Sequence, residues 1–295
     1  MPSGDLLFQS VILGLLLGGL YALLAAGLTL YFGVMRVVMI AHAAFLILAA
    51  YLAWFFHRET GLDPLLSMVV TVPLFFAAGV LMQRLLLARL RPLTLTMMSV
   101  LLTFAVALLI EGLLGYAFGG THRRLQLAYS GESIDFLGAR IAVVKLIAFA
   151  LAAASMLALY VLLKRSRFGR ALRATIQHPD AAQLLGIDTD RVAGYGFGIG
   201  LATAAIGGTA LSLDATIYPA LHWSWIGPLM AIIVVGGLGS VPGAAAAAMV
   251  LAMAQSLLQI ELGTTWAQTV FYIALFATLM LRPQGFFGGR LAQRF

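Results

Sequence analysis

From Leu6 to Met35 the chain carries no charged residue. As a helix, that run is longer than the ~30 Å needed to cross the hydrocarbon core of a bilayer, and a water-soluble domain offers no place to hide it. A secretory signal has a shorter apolar core, about 7–15 residues, preceded by positive charge. Here Asp5 stands in that place, so the run reads as a retained first span. Further uncharged or nearly uncharged stretches occupy about Val37–Phe56, Pro64–Gln83, Leu93–Phe118, Ile141–Leu163, Val192–Leu213, Ile226–Ile260 and Thr264–Leu281. The expected fold class is an all-α polytopic membrane protein: a bundle of about 8–9 transmembrane helices in one domain over 1–295, with no room for a soluble domain of ordinary size. Composition agrees, since 62% of the 295 residues are hydrophobic and 10% charged, where a soluble domain has roughly 25% charged.

The Ile226–Ile260 stretch is long enough for two short spans and is interrupted by Gly236-Gly237-Leu238-Gly239-Ser240-Val241-Pro242-Gly243. Lys and Arg collect in cytoplasmic loops, so charge placement weighs the possible topologies. With the amino terminus outside and two crossings in this stretch, one side receives Arg36, Arg84, Arg89, Arg91, Lys164, Arg165, Arg167, Arg170, Arg173, Arg191, Arg282, Arg290 and Arg294. Only Arg58, Arg123, Arg124 and Arg140 fall opposite. A re-entrant 226–240 segment would move the carboxyl-terminal arginines to the wrong side. The count favours a cytoplasmic carboxyl terminus. It also accounts for the net charge of +7 without a nucleic-acid surface.

Small residues recur four apart at Gly14/Gly18, Ala22/Ala26, Gly196/Gly200, Ala204/Gly208 and Gly243/Ala247. Such spacing lets helix backbones approach closely where lipid supplies no hydrophobic drive between helices. Catalytic constellations are missing. His42, His57, His122, His178 and His222 have no zinc spacing, no Ser lies in G-x-S-x-G, and the run at Gly236 lacks the Lys of a phosphate-binding loop. There is no cysteine, hence no disulfide or thiolate chemistry. The chain reads as a non-enzyme that binds no metal or cofactor of its own.

The longest polar segment, 164–191, reads KRSRFGRALRATIQHPDAAQLLGIDTDR. Pro179, Asp180 beside it and Gly186 are start and stop signals for a short helix over Pro179–Leu185. Ala181, Ala182, Leu184 and Leu185 give that helix an apolar face in an otherwise wet loop. It is either a connector packed on its own bundle or a knob offered to a partner.

The run GRALRATIQHPDAAQLLGIDTDRV resembles the cytoplasmic loop of permeases of branched-chain amino acid ABC importers, the LivH/LivM family. GGLYALLAAGLTLYFGVMRVVMIAHAAFLILAAY near the start, and VVGGLGSVPGA followed by LRPQGFFG near the end, match that family in order and spacing, so the likeness runs from Leu15 to Gly288. The resemblance implies a permease half in a bacterial inner membrane, translocating an amino acid or related small polar solute by alternating access. It also implies a second homologous permease or a second copy, two cytoplasmic ATP-binding subunits that hold ATP and Mg, and an extracellular or periplasmic solute-binding protein. By it, 164–191 is a coupling loop, and Arg170, Arg173, Pro179, Asp180, Ala181, Leu184, Leu185 and Gly186 are the candidates for ATPase contact. Where the family commonly has Asn-Phe-Ala-His-Gly and an acid, this chain has Met39-Ile40-Ala41-His42-Ala43-Ala44. The His is kept but the Asn, the Gly and the acid are not, so this motif does not carry the family's best-known substrates over to this chain.

Met39 and His42 are therefore candidates for the translocation path, beside a structural role for the histidine. Gly236, Gly237, Gly239 and Ser240 are a second set, because interrupted helices expose backbone at the depth where transporters bind solute; the other reading is a turn between two spans. Glu111 and Lys145 stand inside spans, and the expectation is a charge pair that staples the fourth span to the fifth. The loop Asp214–Trp225 carries Tyr218, Trp223 and Trp225, residues of a membrane boundary or of a docking surface for the binding protein. The alternative function is a self-sufficient secondary transporter or channel for a small solute, which would carry partnered charges at the midplane and need no docking helix.

Overall fold

A computed structural model describes residues 4–35, 37–90, 95–136 and 139–288. Arg36, Arg91, Arg290 and Arg294, used in the charge count, lie outside the described residues. The helices are α1 (Gly4–Met35), α2 (Ala41–Thr60), α3 (Met68–Leu85), α4 (Leu95–Phe118), α5 (Val143–Arg165), α6 (Arg167–Gln177), α7 (Pro179–Leu184), α8 (Thr189–Ser212), α9 (Trp223–Gly236), α10 (Val241–Ala267) and α11 (Thr269–Leu281). Eight helical stretches of the described residues are long and apolar enough to cross a membrane, and Thr269–Leu281 is a shorter apolar helix. The chain is a multi-pass, all-α membrane protein.

The segment between α4 and α5, expected as plain loop, contains an antiparallel hairpin of β1 (Ser133–Phe136) and β2 (Ala139–Ala142), with Ser133 opposite Ala142. Four residues per strand are too few to stand out as an alternating pattern. The long seventh stretch divides at the glycines into α9 and α10, and α10 itself breaks at Gly263 (φ 80°) close to the expected start of the last span.

Packing follows the small residues. Helix α1 is central, against α5, α8 and α10, while α8 also packs on α2 and α3. A Cβ on Gly14 would lie 2.7 Å from the Met253 Cα of α10, and one on Gly79 of α3 would lie 2.8 Å from the Gly198 Cα of α8. Only glycine admits backbones this close. Leu23, Leu24, Ala25 and Ala26 of α1 are fully buried at the centre.

The bundle has two ends. Gly33, near the end of α1, faces Gly239 and Ile176, so the α9–α10 turn and α6 share one end. The segment after α11 joins them, its Phe286 amide donating to the Val235 carbonyl at 2.9 Å. At the other end Gln9 donates to the Arg140 carbonyl of the hairpin, and Arg123 pairs with Ile217 through both backbone groups. There Tyr129 donates to Asp63 (2.9 Å); burial, and then that hydrogen bond, push its hydroxyl above its ordinary range. We call these the loop end and the hairpin end.

Helix α9 is 14 residues long, about 21 Å, shorter than a ~30 Å core. Its first turn meets the middle of α1, where Trp225 lies 5.1 Å from Tyr21 ring to ring. The short 3-10 turn Pro219–His222 therefore carries the chain into the depth of the bundle before α9 starts.

Candidate functional site

At the loop end, Ser166 begins α6 by accepting a hydrogen bond from the Gly169 amide (2.9 Å). Leu172 and Thr175 are buried, with Leu172 packed among Leu30, Leu159 and Val192. Arg173 donates to the Leu163 carbonyl and Arg170 to the Arg165 carbonyl, so both guanidiniums face the free carbonyls that close α5, where positive charge is favoured. Helix α6 was not foreseen. Arg167, Arg170 and Arg173, three apart and opposite Phe168, Leu172 and Ile176, were the periodic signal for it.

Helix α7 lies where Pro179 and Gly186 bracket it, with Asp180 in its first turn. It stops in a left-handed residue, Gly186 (φ 80°), whose amide donates to Gln183 while Ile187 donates to Ala182, a closure that favours glycine. Within α7 only Ala182 is buried; Pro179, Asp180, Ala181, Leu184 and Leu185 face outward. Leu184 is 90% and Leu185 81% exposed. Two leucines thus project from a loop at the end of a membrane bundle, with nothing among the described residues to cover them.

The glycine turn sits at this same end, away from mid-depth. Gly237 (φ 98°) and Gly239 (φ 84°) reverse the chain and the Ser240 hydroxyl accepts from the Gly243 amide at 3.2 Å to start α10. The expectation of exposed backbone deep in the bundle is corrected: Gly236, Gly237, Gly239 and Ser240 form a turn between two packed helices, because α9 runs its full length before them. His42 and Met39 are both 1% exposed. His42 Nδ1 lies 3.2 Å from the Tyr31 hydroxyl, in the α1–α2–α8 core, and the segment before it is fastened by Thr103, which donates to the Val38 carbonyl.

The charge pair is also corrected. Glu111 and Lys145 do not meet, because α4 packs on α2 whereas α5 packs on α1 and α8. Lys145 Nζ lies 2.7 Å from Asp214 Oδ2, just past the end of α8. Glu111 instead accepts a hydrogen bond from Trp223 Nε1 (3.1 Å) and lies 3.7 Å from His222 Nε2. Asp214, His222 and Trp223 belong to the segment that reads in the sequence as a membrane boundary or a docking surface. No spacing in the sequence relates them to partners 69, 111 and 112 residues away, and the dip of Pro219–His222 into the bundle brings the last two to Glu111.

A bundle of long apolar helices with a short, exposed helix between two of them defines a multi-pass membrane protein. Residues 10–280 match the family described as branched-chain amino acid transport system / permease component, and the chain belongs to that family. It is 26% identical to the high-affinity branched-chain amino acid transport system permease protein LivH of Salmonella typhimurium, over 95% of each chain. It is 27% identical to the probable branched-chain amino acid transport permease protein LivH of Methanocaldococcus jannaschii, over 91% of this chain and 89% of that one. The BraD permease protein of the corresponding high-affinity system of Pseudomonas aeruginosa is 24% identical over 98% of each. No solved structure matches the chain.

Proposed function

We propose that this chain is one permease half of an ATP-driven importer, and that it moves an amino acid or a related small polar solute by alternating access. The carrying observation is the exposed Leu184–Leu185 knob of α7, set between two spans in a chain of this family. A six-residue helix has little stability alone. It gains a role when a groove in a cytoplasmic ATPase receives its leucines, and closure of that ATPase is then passed to α5 and α8, the spans that flank the loop. Arg170 and Arg173 hold the base of the knob, and Pro179, Asp180, Ala181 and Gly186 shape it. ATP and Mg belong to the two ATPase subunits, so hydrolysis is theirs. A second permease, homologous or identical, completes the path, and a solute-binding protein delivers the solute at the hairpin end.

Orientation follows from charge. Arg84, Arg89, Lys164, Arg165, Arg167, Arg170, Arg173, Arg191 and Arg282 belong to the loop end, which the positive-inside rule makes cytoplasmic. The amino terminus is then outside and the carboxyl terminus inside, in a bacterial inner membrane, and 1–295 acts as one permease domain.

The test is to purify the chain with its co-encoded neighbours and measure uptake in liposomes. We expect an ATPase to co-purify and uptake to stop when ATP is withheld. Uptake that persists without ATP and follows a proton gradient would make the chain a secondary transporter. Leu184→Asp should weaken ATPase binding roughly tenfold or more, as for a buried apolar anchor of an interface, while the melting temperature of the permease stays unchanged. Equal binding by both proteins would return α7 to a connector.

A further inference from the structure

Glu111 lies seven residues inside the Phe118 end of α4, about 10 Å of helix. Its side chain is 27% exposed on the flank of the bundle. A carboxylate there cannot face lipid without a cost of several kcal/mol, so this flank borders protein or water. Beside it, Leu108, Gly112, Gly115, Tyr218 and Pro219 help line a cavity of about 490 Å³. Gly112 and Gly115 leave its floor open: a Cβ on either would meet no atom within 4 Å.

The chemistry behind the cavity wall is incomplete. His222 is 1% exposed, and its Nε2 has no hydrogen-bond partner. Its Nδ1 lies 3.1 Å from the Pro219 carbonyl, which only accepts, so the Nδ1 must carry the proton. In the neutral ring Nε2 is then an acceptor, directed at Glu111 Oε2 from 3.7 Å. With the ring neutral, two acceptors face each other at the edge of the bundle, and Trp223 is the side chain that donates to the carboxylate. A cation with several N–H donors in the cavity would answer the carboxylate.

We propose that Glu111 and the cavity before it, with His222 buried behind the carboxylate, form a subsite that receives the ammonium group of a zwitterionic amino acid during its passage along this flank. The proposal rests on the importer reading above. Glu111 supplies the charge, Trp223 fixes the carboxylate, and His222 stands behind it within the bundle. The open floor at Gly112 and Gly115 leaves space for the body of the solute.

The test uses the permease assembled with its partner chains in liposomes, with radiolabelled L-leucine as probe and ATP hydrolysis measured in parallel. Glu111→Gln keeps an acceptor for Trp223 but removes the charge, and should lower leucine moved per ATP roughly tenfold. Glu111→Asp should recover part of that loss, which a purely structural role would not require. Gly115→Leu directs its side chain into open space, fills the cavity and should give the same loss with the complex intact. Unchanged leucine per ATP in either Glu111→Gln or Gly115→Leu overturns the proposal. Dissociation of the complex by Gly115→Leu also overturns it, because the cavity would then be a contact between subunits. If the wild-type complex moves leucine without hydrolysing ATP, the importer reading fails, and the same variants judge the site through uptake alone.

Discussion

Helices α5 and α8 are nearly equal in length, 23 and 24 residues, and both are uncharged through their middles. Their fates in the bundle are opposite. In the most apolar stretch of α8, 78% of residues are buried, against 11% in α5. The more apolar helix is the more exposed, the reverse of the rule for a water-soluble core. Lipid is as apolar as leucine, so burial here follows close backbone approach and polar satisfaction. Helix α8 presents Gly198, Gly200, Gly207 and Gly208 to α1, α2 and α3, and its buried Thr203 and Thr209 hydroxyls return to backbone carbonyls three and four residues back. Helix α5 turns Leu157, Tyr160, Val161 and Leu162 outward.

The contrast breaks most sharply at Gly208. A side chain there would collide with the Leu46 carbonyl and the Ala50 amide of α2, rigid backbone that cannot yield. Gly208→Leu should destabilise the bundle by about 3 kcal/mol or more, as severe overpacking does. Unfolding in a detergent titration, followed by size-exclusion chromatography, would report it. A Gly208→Leu protein as stable as the wild type would mean that α2 and α8 are not packed as described.

A smaller effect sharpens the edge of the same comparison. Lys145 at the start of α5 pairs with Asp214 just beyond α8, and both side chains are more than a third exposed. Lys145→Met and Asp214→Asn should each cost little, with a coupling of about 0.5–1 kcal/mol between them in a double-mutant cycle. The cycle of Lys145→Met with Glu111→Gln should show no coupling. A reversed result would restore the pairing of successive spans that the sequence suggests.

That reversal shows what was legible in the sequence. Spans were visible because an uncharged run is a local property, and α7 was visible because Pro179, Asp180 and Gly186 act on their own neighbours. The Lys145–Asp214 and Glu111–Trp223 contacts depend on which helices lie side by side, and order along the chain does not say that α5 leaves α4 to join α1 and α8. The hairpin was too short to show a period. The glycine run was read correctly as a break, but its depth was undetermined until the length of α9 placed it at the loop end. Of the candidate sites, the short helix α7 stood out because its capping residues are local. The Glu111 cluster was half seen: the carboxylate drew notice and its histidine did not.

The smallest expected effect probes the outer side of the comparison. Leu157 on α5 is 64% exposed, and if lipid is all it meets, Leu157→Ala exchanges one apolar surface for another. Its stability cost should lie within about 0.5 kcal/mol, the range of substitutions that leave packing untouched. The same titration measures it in the permease alone, and co-purification measures it in the complex. If Leu157→Ala leaves the isolated chain unchanged but weakens the assembly, this face of α5 is covered by a neighbouring subunit. The rule drawn from α5 and α8 would then narrow: large apolar residues would mark surfaces that associate as well as surfaces that face lipid, and only the glycine-lined faces would identify the interior of the chain itself.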